Sequence, residues 1–500
     1  MKKLTKNVVV AFLSKIVIIL TGIIAQRFML RSFGSAVNGL TSTISQVMFY
    51  VSLLEVGLGT ASIQALYKPI AANDKTGISA IYNATAISYR RVGFGFMAIW
   101  TAVSFALPFF VKDGTNELTY WTIVAIVALS GVGHIIRYMI VGKWSVMLHA
   151  DNRIYSLHTL DTITHIANCI VKVAMINAGF GVIPVLALNL VWTFTNMGVM
   201  YWYIRKYYGY LDRGVKPDFE ATSKRKNIMV HQLVGMVASH TDMLLLSFFS
   251  TLQMVSVYSV YNYVYSNISN IVQTTFAQAP LATFGKLYAK GDSRLKEYFR
   301  SFEVLFYTFM FVVLITAGLM TIPFVRLYTA GVTDIEYIDS VVAILFVTIQ
   351  LLSLVRVPAV VIVNVSGAYA ETQKGAILEA VINLALSIPL FFVMGMKGLL
   401  VGTVVSLVYR SADIIYYVYK HIFHQSLKQL CLILVDFVLV GAIAVCLYIF
   451  AILPEITNWI EWILWSAVTL AFVGALYLIN LVVFYKKHIK NLKLLLSKKG

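Results

Sequence analysis

Apolar runs of about 20 residues, almost free of charge, recur along this chain, as in 430–452 and 460–484. A run of that length crosses the ~30 Å hydrocarbon layer as an α-helix. Hydrocarbon offers no water, so each backbone N–H and C=O must be satisfied within the protein. A membrane β-barrel is excluded, because its strands alternate apolar and polar residues. Composition agrees: 59% of the residues are apolar and 12% charged, against about 45–50% and 25% in a globular domain. With a mean hydropathy of +0.80, a soluble globular enzyme, a disordered chain and a collagen-like repeat are also excluded. The expectation is an all-α, polytopic membrane protein.

About fourteen spans can be read. The first six cover roughly 8–30, 37–63, 92–111, 120–142, 157–178 and 182–204. The next six cover roughly 228–249, 253–279, 302–325, 337–365, 376–395 and 398–419, and the last two 430–452 and 460–484. The first run follows Lys2, Lys3 and Lys6, and its length and lack of a small-residue cleavage site predict a retained helix. With the N-terminus inside, the inner segments hold about 30 of the 40 Lys and Arg and the outer ones about 5. That asymmetry predicts cytoplasmic N- and C-termini. The net charge of +18 is then mostly an orientation signal rather than a nucleic-acid footprint. The tail Lys486–Lys499, with Leu492, Leu494, Leu495 and Leu496 among lysines, is expected on the anionic inner leaflet. Three cysteines without CxxC spacing predict neither a disulfide nor a metal site.

The basic loop 205–227 divides the chain, and the second half repeats the pattern of the first. Arg31-Ser32-Phe33-Gly34 and Ser247-Phe248-Phe249-Ser250 each end a span before a polar-striped one. Leu66-Tyr67-Lys68-Pro69 and Leu287-Tyr288-Ala289-Lys290 follow those striped spans. Parallel repeats of this kind predict two pseudo-symmetric six-helix lobes, with a substrate path between them. The expected domains are 1–204, the linking loop 205–227, 228–420, and 421–500 with two further helices and the basic tail.

Charges inside hydrocarbon cost roughly 2.5–3.5 kcal/mol each even on lenient scales, so they mark interior positions. Span 1 aligns Lys15, Gly22 and Gln26. Span 2 aligns Thr41, Ser45, Ser52, Glu55, Gly59 and Ser62. Span 5 puts His158, Asp161, His165, Asn168 and Lys172 on one face. Span 7 aligns His231, Gly235, Ser239 and Asp242. Span 10 carries Arg356 two residues before Pro358, and span 11 has Glu379 and Asn383 at i, i+4. Each stripe also fits plain helix packing, Arg410 and Asp413 fit a structural i, i+3 pair, and Arg27 and Arg31 fit snorkelling to the outer interface. Lys15, Arg137, Lys172 and Arg356 lack a local carboxylate. With Gln26, they are the expected contacts for an anionic substrate. Glu55, Asp161, His165 and Asp242 are the candidates for coupling to H+ or Na+ or for gating. No nucleotide-binding P-loop, HExxH, GxSxG or metal-ligand spacing appears. The outer loops are too short for a typical membrane glycosyltransferase. No catalytic residue, resident cofactor or metal is expected, and the chain reads as a transporter rather than an enzyme.

Two stretches resemble a known family. Phe33-Gly34-Ser35-Ala36-Val37-Asn38-Gly39-Leu40, with Leu54-Glu55-Val56-Gly57-Leu58-Gly59-Thr60-Ala61 and Leu66-Tyr67-Lys68-Pro69-Ile70-Ala71, resembles the first two helices of polysaccharide flippases. These belong to the multidrug/oligosaccharidyl-lipid/polysaccharide exporter superfamily. Thr241-Asp242-Met243-Leu244-Leu245-Leu246-Ser247 and Val255-Ser256-Val257-Tyr258-Ser259-Val260-Tyr261 are similar to their seventh and eighth helices. The resemblance implies two lobes opening alternately in the bacterial cytoplasmic membrane. It implies a lipid-linked oligosaccharide, typically on undecaprenyl pyrophosphate, delivered outward for surface polysaccharide. Fourteen spans match the lipid II flippase branch, whereas Leu-Tyr-Lys-Pro points to the polysaccharide branch. Its expected partners are that substrate, membrane lipids, a polysaccharide polymerase and glycosyltransferases, and no nucleic acid. The alternatives are an ion-coupled multidrug antiporter of the same superfamily and a membrane polymerase or glycosyltransferase.

Overall fold

The computed structural model describes residues 2–55, 57–113, 118–220, 241–278, 280–451 and 455–488. All its named regular elements are helical. Eleven described helices are long and apolar enough to cross a membrane. One of them, Val10–Glu55, covers most of the first two spans read from sequence, but the second, read as 37–63, is broken after Glu55 and its end belongs to the separate helix Leu58–Ala71. The seventh and eighth meet the helices Thr241–Phe249 and Leu252–Gln278. The chain is a multi-pass, all-α membrane protein. His231, Gly235, Ser239, the loop from 221 and the tail leucines lie outside the described residues.

The chain packs as two compact units. One comprises Met1–Val257 with Gly331–Ile335, and the other Tyr258–Ala330 with Glu336–Gly500. This division by packing falls inside Leu252–Gln278, beyond the loop at 205–227 where the sequence repeat changes.

The first unit begins with α1 (Lys2–Ser52), which is interrupted at Gly34 (φ 76°, ψ 176°). A residue with a Cβ rarely adopts that φ. The break turns the chain back on itself. Gln26 Nε2 donates to Asn38 Oδ1 at 3.1 Å, although twelve residues of straight helix would separate them by about 18 Å. Asp334 caps the returning half, accepting from Ser35 N at 2.7 Å and from Ser35 Oγ at 2.6 Å. A carboxylate there also complements the positive end of the helix dipole. The same half packs on the start of Leu252–Gln278, where Asn38 Nδ2 donates to Ser256 Oγ at 2.6 Å. Gly39 allows this approach, since a Cβ added there would lie 1.8 Å from the Leu252 carbonyl oxygen.

The rest of this unit comprises α2 (Leu58–Ala71), α3 (Lys75–Ala106), α4 (Tyr120–Ile136), α5 (Gly142–Ala150), α6 (Tyr155–Asn177) and α7 (Val182–Tyr207). Thr241–Phe249 (α8) and the first turn of Leu252–Gln278 (α9) complete it. A π-helical segment, Arg137–Val141, joins α4 to α5. The core gathers around Phe96 and Trp100, and Trp100 Nε1 donates to the Val127 carbonyl at 2.9 Å.

The second unit contains the remainder of α9, then α10 (Leu281–Ala289), α11 (Arg294–Tyr328), α12 (Ser340–Val355) and α13 (Val357–Ser366). It continues with α14 (Tyr369–Met394), α15 (Met396–Tyr417), α16 (Lys428–Phe450) and α17 (Trp459–Phe484). The last two helices are integral to it: Phe437 and Tyr477 join the core around Phe306 and Phe311. Their outer faces expose Ile443, Leu447, Phe450 and Ile463, as lipid-facing helices do.

Gly39→Val would drive a branched side chain into the Leu252 carbonyl. It is expected to lower stability by about 1–3 kcal/mol or more, read as a lower melting temperature of the purified protein in detergent. An unchanged midpoint would contradict the packing of α1 on α9.

Candidate polar site in the membrane

The polar positions of the first unit form a ladder along α1 and α6. Ser14 Oγ donates to the His158 carbonyl at 3.3 Å, and the Cys169 thiol meets the backbone of Ala25. Both pairs are offset by 144 residues, so the helices run parallel in one register. This places Lys15 at the level of His158 and Gln26 near that of Asn168 and Lys172. From His158 to Lys172 the ladder rises about 21 Å, most of the ~30 Å hydrocarbon thickness.

Helix α6 is open on two opposite faces. Ile163, Ile166 and Ile170 are exposed on one. Asp161, His165, Asn168 and Lys172 lie about 180° around the helix, partly or fully accessible, and Thr164 and Cys169 pack at the flanks. One face suits lipid and the other suits water or a polar ligand.

Arg137, at the head of the π-helical segment, lies among this unit's titratable groups. Its charge acts on His134, Tyr89, Tyr138 and Asp161. Glu55, in a short 3-10 turn after α1, accepts from Tyr89 OH at 2.6 Å. Insertions such as a π-turn re-aim side chains and recur at functional sites. Asp161 also feels His158 and His165, and His165 feels Lys172. Asp242, in the first turn of α8, lies beside Tyr50 of α1. Eight of the nine residues singled out from sequence, Lys15, Gln26, Glu55, Arg137, Asp161, His165, Lys172 and Asp242, therefore belong to the first unit. Among the described residues, Lys15, Arg137 and Lys172 have no carboxylate oxygen within 4.0 Å.

Arg356 belongs to the second unit, and its surroundings correct the expectation of a cation without an acidic partner. Its Nη1 lies 2.9 Å from Glu379 Oε1. Arg410 Nε reaches the other oxygen of Glu379 at 3.5 Å, and Arg410 Nη1 pairs with Asp413 at 2.7 Å. Two guanidinium groups thus meet two carboxylates. The Arg410–Asp413 pair read from spacing is present, but it is half of a larger network. Gly375 makes room for it: a Cβ there would lie 1.9 Å from Asp413 Oδ2. Arg356 sits at the break between α12 and α13, just before Pro358. The carbonyls of Leu352 and Val355 near this break accept from Ser411 Oγ and Tyr307 OH at 2.8 and 3.1 Å.

Other partners were not singled out from sequence. Glu303, 1% exposed, accepts from Tyr419 OH at 2.5 Å. Asp436 accepts from Asn480 Nδ2 and Tyr485 OH at 3.0 and 2.9 Å. The only signal for either was a lone acid in an apolar run. Outside the spans, burial works against the Asp339 carboxylate, yet Lys397 and the N–H groups of Val341 and Val342 hold it below its ordinary range. Among the described residues, no group of three His, Cys, Asp or Glu is placed to hold a metal ion.

Glu379→Gln would leave Arg356 without a carboxylate partner and Arg410 with Asp413 alone. Removing one partner of a fully buried pair costs roughly 3–5 kcal/mol; this pair is partly buried, its side chains 21% and 13% exposed, so thermal unfolding should show a smaller but clear loss. Adding Arg356→Gln should restore part of it, and strictly additive losses would contradict the network.

Neither a family model nor a curated protein sequence matches the chain. Solved structures do. The lipid II flippase MurJ in its inward closed conformation is 13% identical and superposes with a TM-score of 0.69, covering 97% of this chain and 99% of that one. An inward-facing multidrug resistance MATE family transporter of the MOP superfamily, also 13% identical, gives 0.62 over 79% of this chain and 92% of its own. A MOP superfamily transporter from Pyrococcus furiosus, described as having a binding pocket of reversed polarity, is 13% identical and gives 0.52 over 83% and 94%. The chain therefore has the fold shared by the MurJ flippase and the MATE transporters, which the resemblance in its first, second, seventh and eighth spans implied.

Proposed function

We propose that this protein is a flippase. It moves a lipid-linked oligosaccharide, carried on undecaprenyl pyrophosphate, from the inner to the outer leaflet of the bacterial cytoplasmic membrane by alternating access. The observation that carries this reading is the set of cations Lys15, Arg137 and Lys172, which have no carboxylate within 4.0 Å among the described residues. Such charges in a membrane call for an anion. A pyrophosphate offers several oxygens for charge-assisted hydrogen bonds. Gln26, already oriented by Asn38, adds an amide able to meet a sugar hydroxyl. The full-length likeness to a lipid II flippase supports the same class of substrate.

Arg356 takes a different role from the one expected of it. Bound to Glu379, it is neutralised in this conformation, and the head group is assigned to the first unit. Glu55, Asp161, His165 and Asp242 set the proton or sodium state that biases one opening over the other. The orientation is N-terminus and C-terminus inside, from the distribution of Lys and Arg. Glycosyltransferases would supply the substrate and a polymerase would consume the flipped product.

A coupled drug antiporter is the second reading, favoured by the MATE likeness and by Glu55 and Asp161. Deleting the gene in its host and following lipid-linked glycans by mass spectrometry, with sidedness probed on intact cells, separates the two. The flippase reading expects a completed repeat unit trapped inside and loss of surface polymer. An unchanged lipid pool with new sensitivity to cationic drugs supports the antiporter. In complemented cells, Lys172→Ala and Lys15→Ala should each reduce flipping by roughly tenfold or more at normal expression, about 1.4 kcal/mol per lost contact. Lys172→Arg should retain most of it. Wild-type flipping by both alanine variants would overturn the anion-binding role.

A further inference from the structure

A second group of cations lies in the first unit beside the start of α3, on residues other than those of the polar ladder. After α7 the chain runs back as a strap along the beginning of α3. Asp212 N donates to Ser79 Oγ at 3.2 Å, Asn83 Nδ2 donates to the carbonyls of Asp212 and Val215 at 3.0 and 2.9 Å, and Asp218 N donates to the Ala80 carbonyl at 3.2 Å. These bonds fix Arg213 over the first turns of α3. Gly142, at the head of α5, packs against the Tyr89 ring, with a Cβ position 2.4 Å from its Cε1. The neighbours of those two residues in sequence are Lys143 and Arg90. Three elements thus bring three cations together, and the charges of Arg213 and Arg90 both act on Lys143. Arg213 also acts on Tyr82, which lies beside Trp144.

Like charges repel, and among the described residues no ion pair offsets this group. Among the described residues, none of the three has a carboxylate oxygen within 4.0 Å. In sequence, residues 221–240 include no Asp or Glu but do include Lys224, Arg225 and Lys226. In the strap itself, Asp212 Oδ1 accepts from Gly214 N in its own turn. Arg90 and Arg213 are exposed, whereas Lys143 is partly buried. The group therefore combines one partly buried ammonium with two exposed guanidinium groups. Guanidinium forks suit the oxygens of a phosphate, and a lysine adds a point charge.

We propose that Lys143, Arg90 and Arg213 form a phosphate-binding site at the basic end of the first unit, separate from the transport ladder and tying the 208–220 strap to α3. Its ligand is a phosphate group, either the headgroup of an anionic lipid or a soluble phosphate. Net positive charge on this end places it by the inner leaflet, whose surface is negative. The site does not depend on what the protein transports.

The test uses the full-length protein in neutral nonionic detergent. Apparent affinity is read from thermal stabilisation during titration with phosphatidylglycerol, with phosphatidylcholine as the uncharged-headgroup control, and separately with inorganic phosphate. Stabilisation by phosphatidylglycerol alone identifies a lipid headgroup, and stabilisation by inorganic phosphate identifies a soluble ligand. In either case Arg90→Gln/Arg213→Gln should weaken the response roughly tenfold or more. Both side chains are exposed, so this variant should fold, and Lys143→Gln provides a second variant. Lys290→Gln/Lys296→Gln removes the same charge elsewhere and should leave the response intact. No stabilisation by either probe, an unchanged response in Arg90→Gln/Arg213→Gln, or an equal loss in the Lys290/Lys296 control would overturn the proposal.

Discussion

A charge placed in hydrocarbon must be matched by something, and much of this structure follows from how each charge is matched. The penalty is roughly 2.5–3.5 kcal/mol per charge on insertion scales and larger in other treatments, comparable with a good part of a domain's net stability. The second unit meets it with pairs and hydrogen bonds. Arg356 and Arg410 share Glu379, Arg410 takes Asp413, Tyr419 donates to Glu303, and Asn480 and Tyr485 donate to Asp436. These contacts join α11 to the π-turn at 418–422, join α14 to both α13 and α15, and hold α17 on α16. The first unit does something different. Glu55 is satisfied by Tyr89, yet Lys15, Arg137 and Lys172 remain without a carboxylate at bonding distance among the described residues. The electrostatic asymmetry between the units is the physical basis for assigning them different work.

Backbone irregularity serves the same constraint. Where a helix breaks in a membrane, the released carbonyls need donors. At Arg356 they receive hydroxyls from Tyr307 and Ser411. At Gly34 the new helix N-terminus receives Asp334. Each break therefore recruits a residue distant in sequence, 299 positions away for Asp334. The π-turn at Arg137–Val141 brings a charged side chain among Tyr89, Tyr138, His134 and Asp161 without opening a gap in the helix.

The spans and the polar faces were legible in the sequence because both depend on local periodicity. Each apolar run meets a helix over its described residues, the break between the first two spans falls at Gly34, the last residue of the Arg31-Ser32-Phe33-Gly34 segment expected to end the first, and the stripe on 158–172 is a real face of α6. The pairings were not legible, because they depend on register between helices. Arg356 lacks an acid within one helical turn, and that criterion missed Glu379, twenty-three residues on and across a helix–helix contact. Glu379 and Asn383 were visible as an i, i+4 pair, but their partners are Arg356 with Arg410, and Thr403. Tyr89 and Tyr138 read as ordinary aromatic core until their hydroxyls are placed beside Glu55. Gly39 carries no periodic signal at all, since its reason is the carbonyl of Leu252 pressed against it.

The two open faces of α6 connect this electrostatics to the proposed substrate. A lipid-linked oligosaccharide is itself divided, with an anionic polar head and a long apolar tail that has no reason to leave the hydrocarbon. A path for it must offer water and cations on one side and lipid on the other along the whole crossing. Helix 155–177 does both within one cylinder about 10–12 Å across: isoleucines on one face, and Asp161, His165, Asn168 and Lys172 on the opposite one. A soluble cationic drug needs no such division, and a cavity built for it would gain from carboxylates left unpaired instead of lysines. Among the described residues, the three cations without an ion pair, Lys15, Arg137 and Lys172, outnumber the ladder's carboxylate Asp161, which also has none, and that balance favours the divided and anionic substrate.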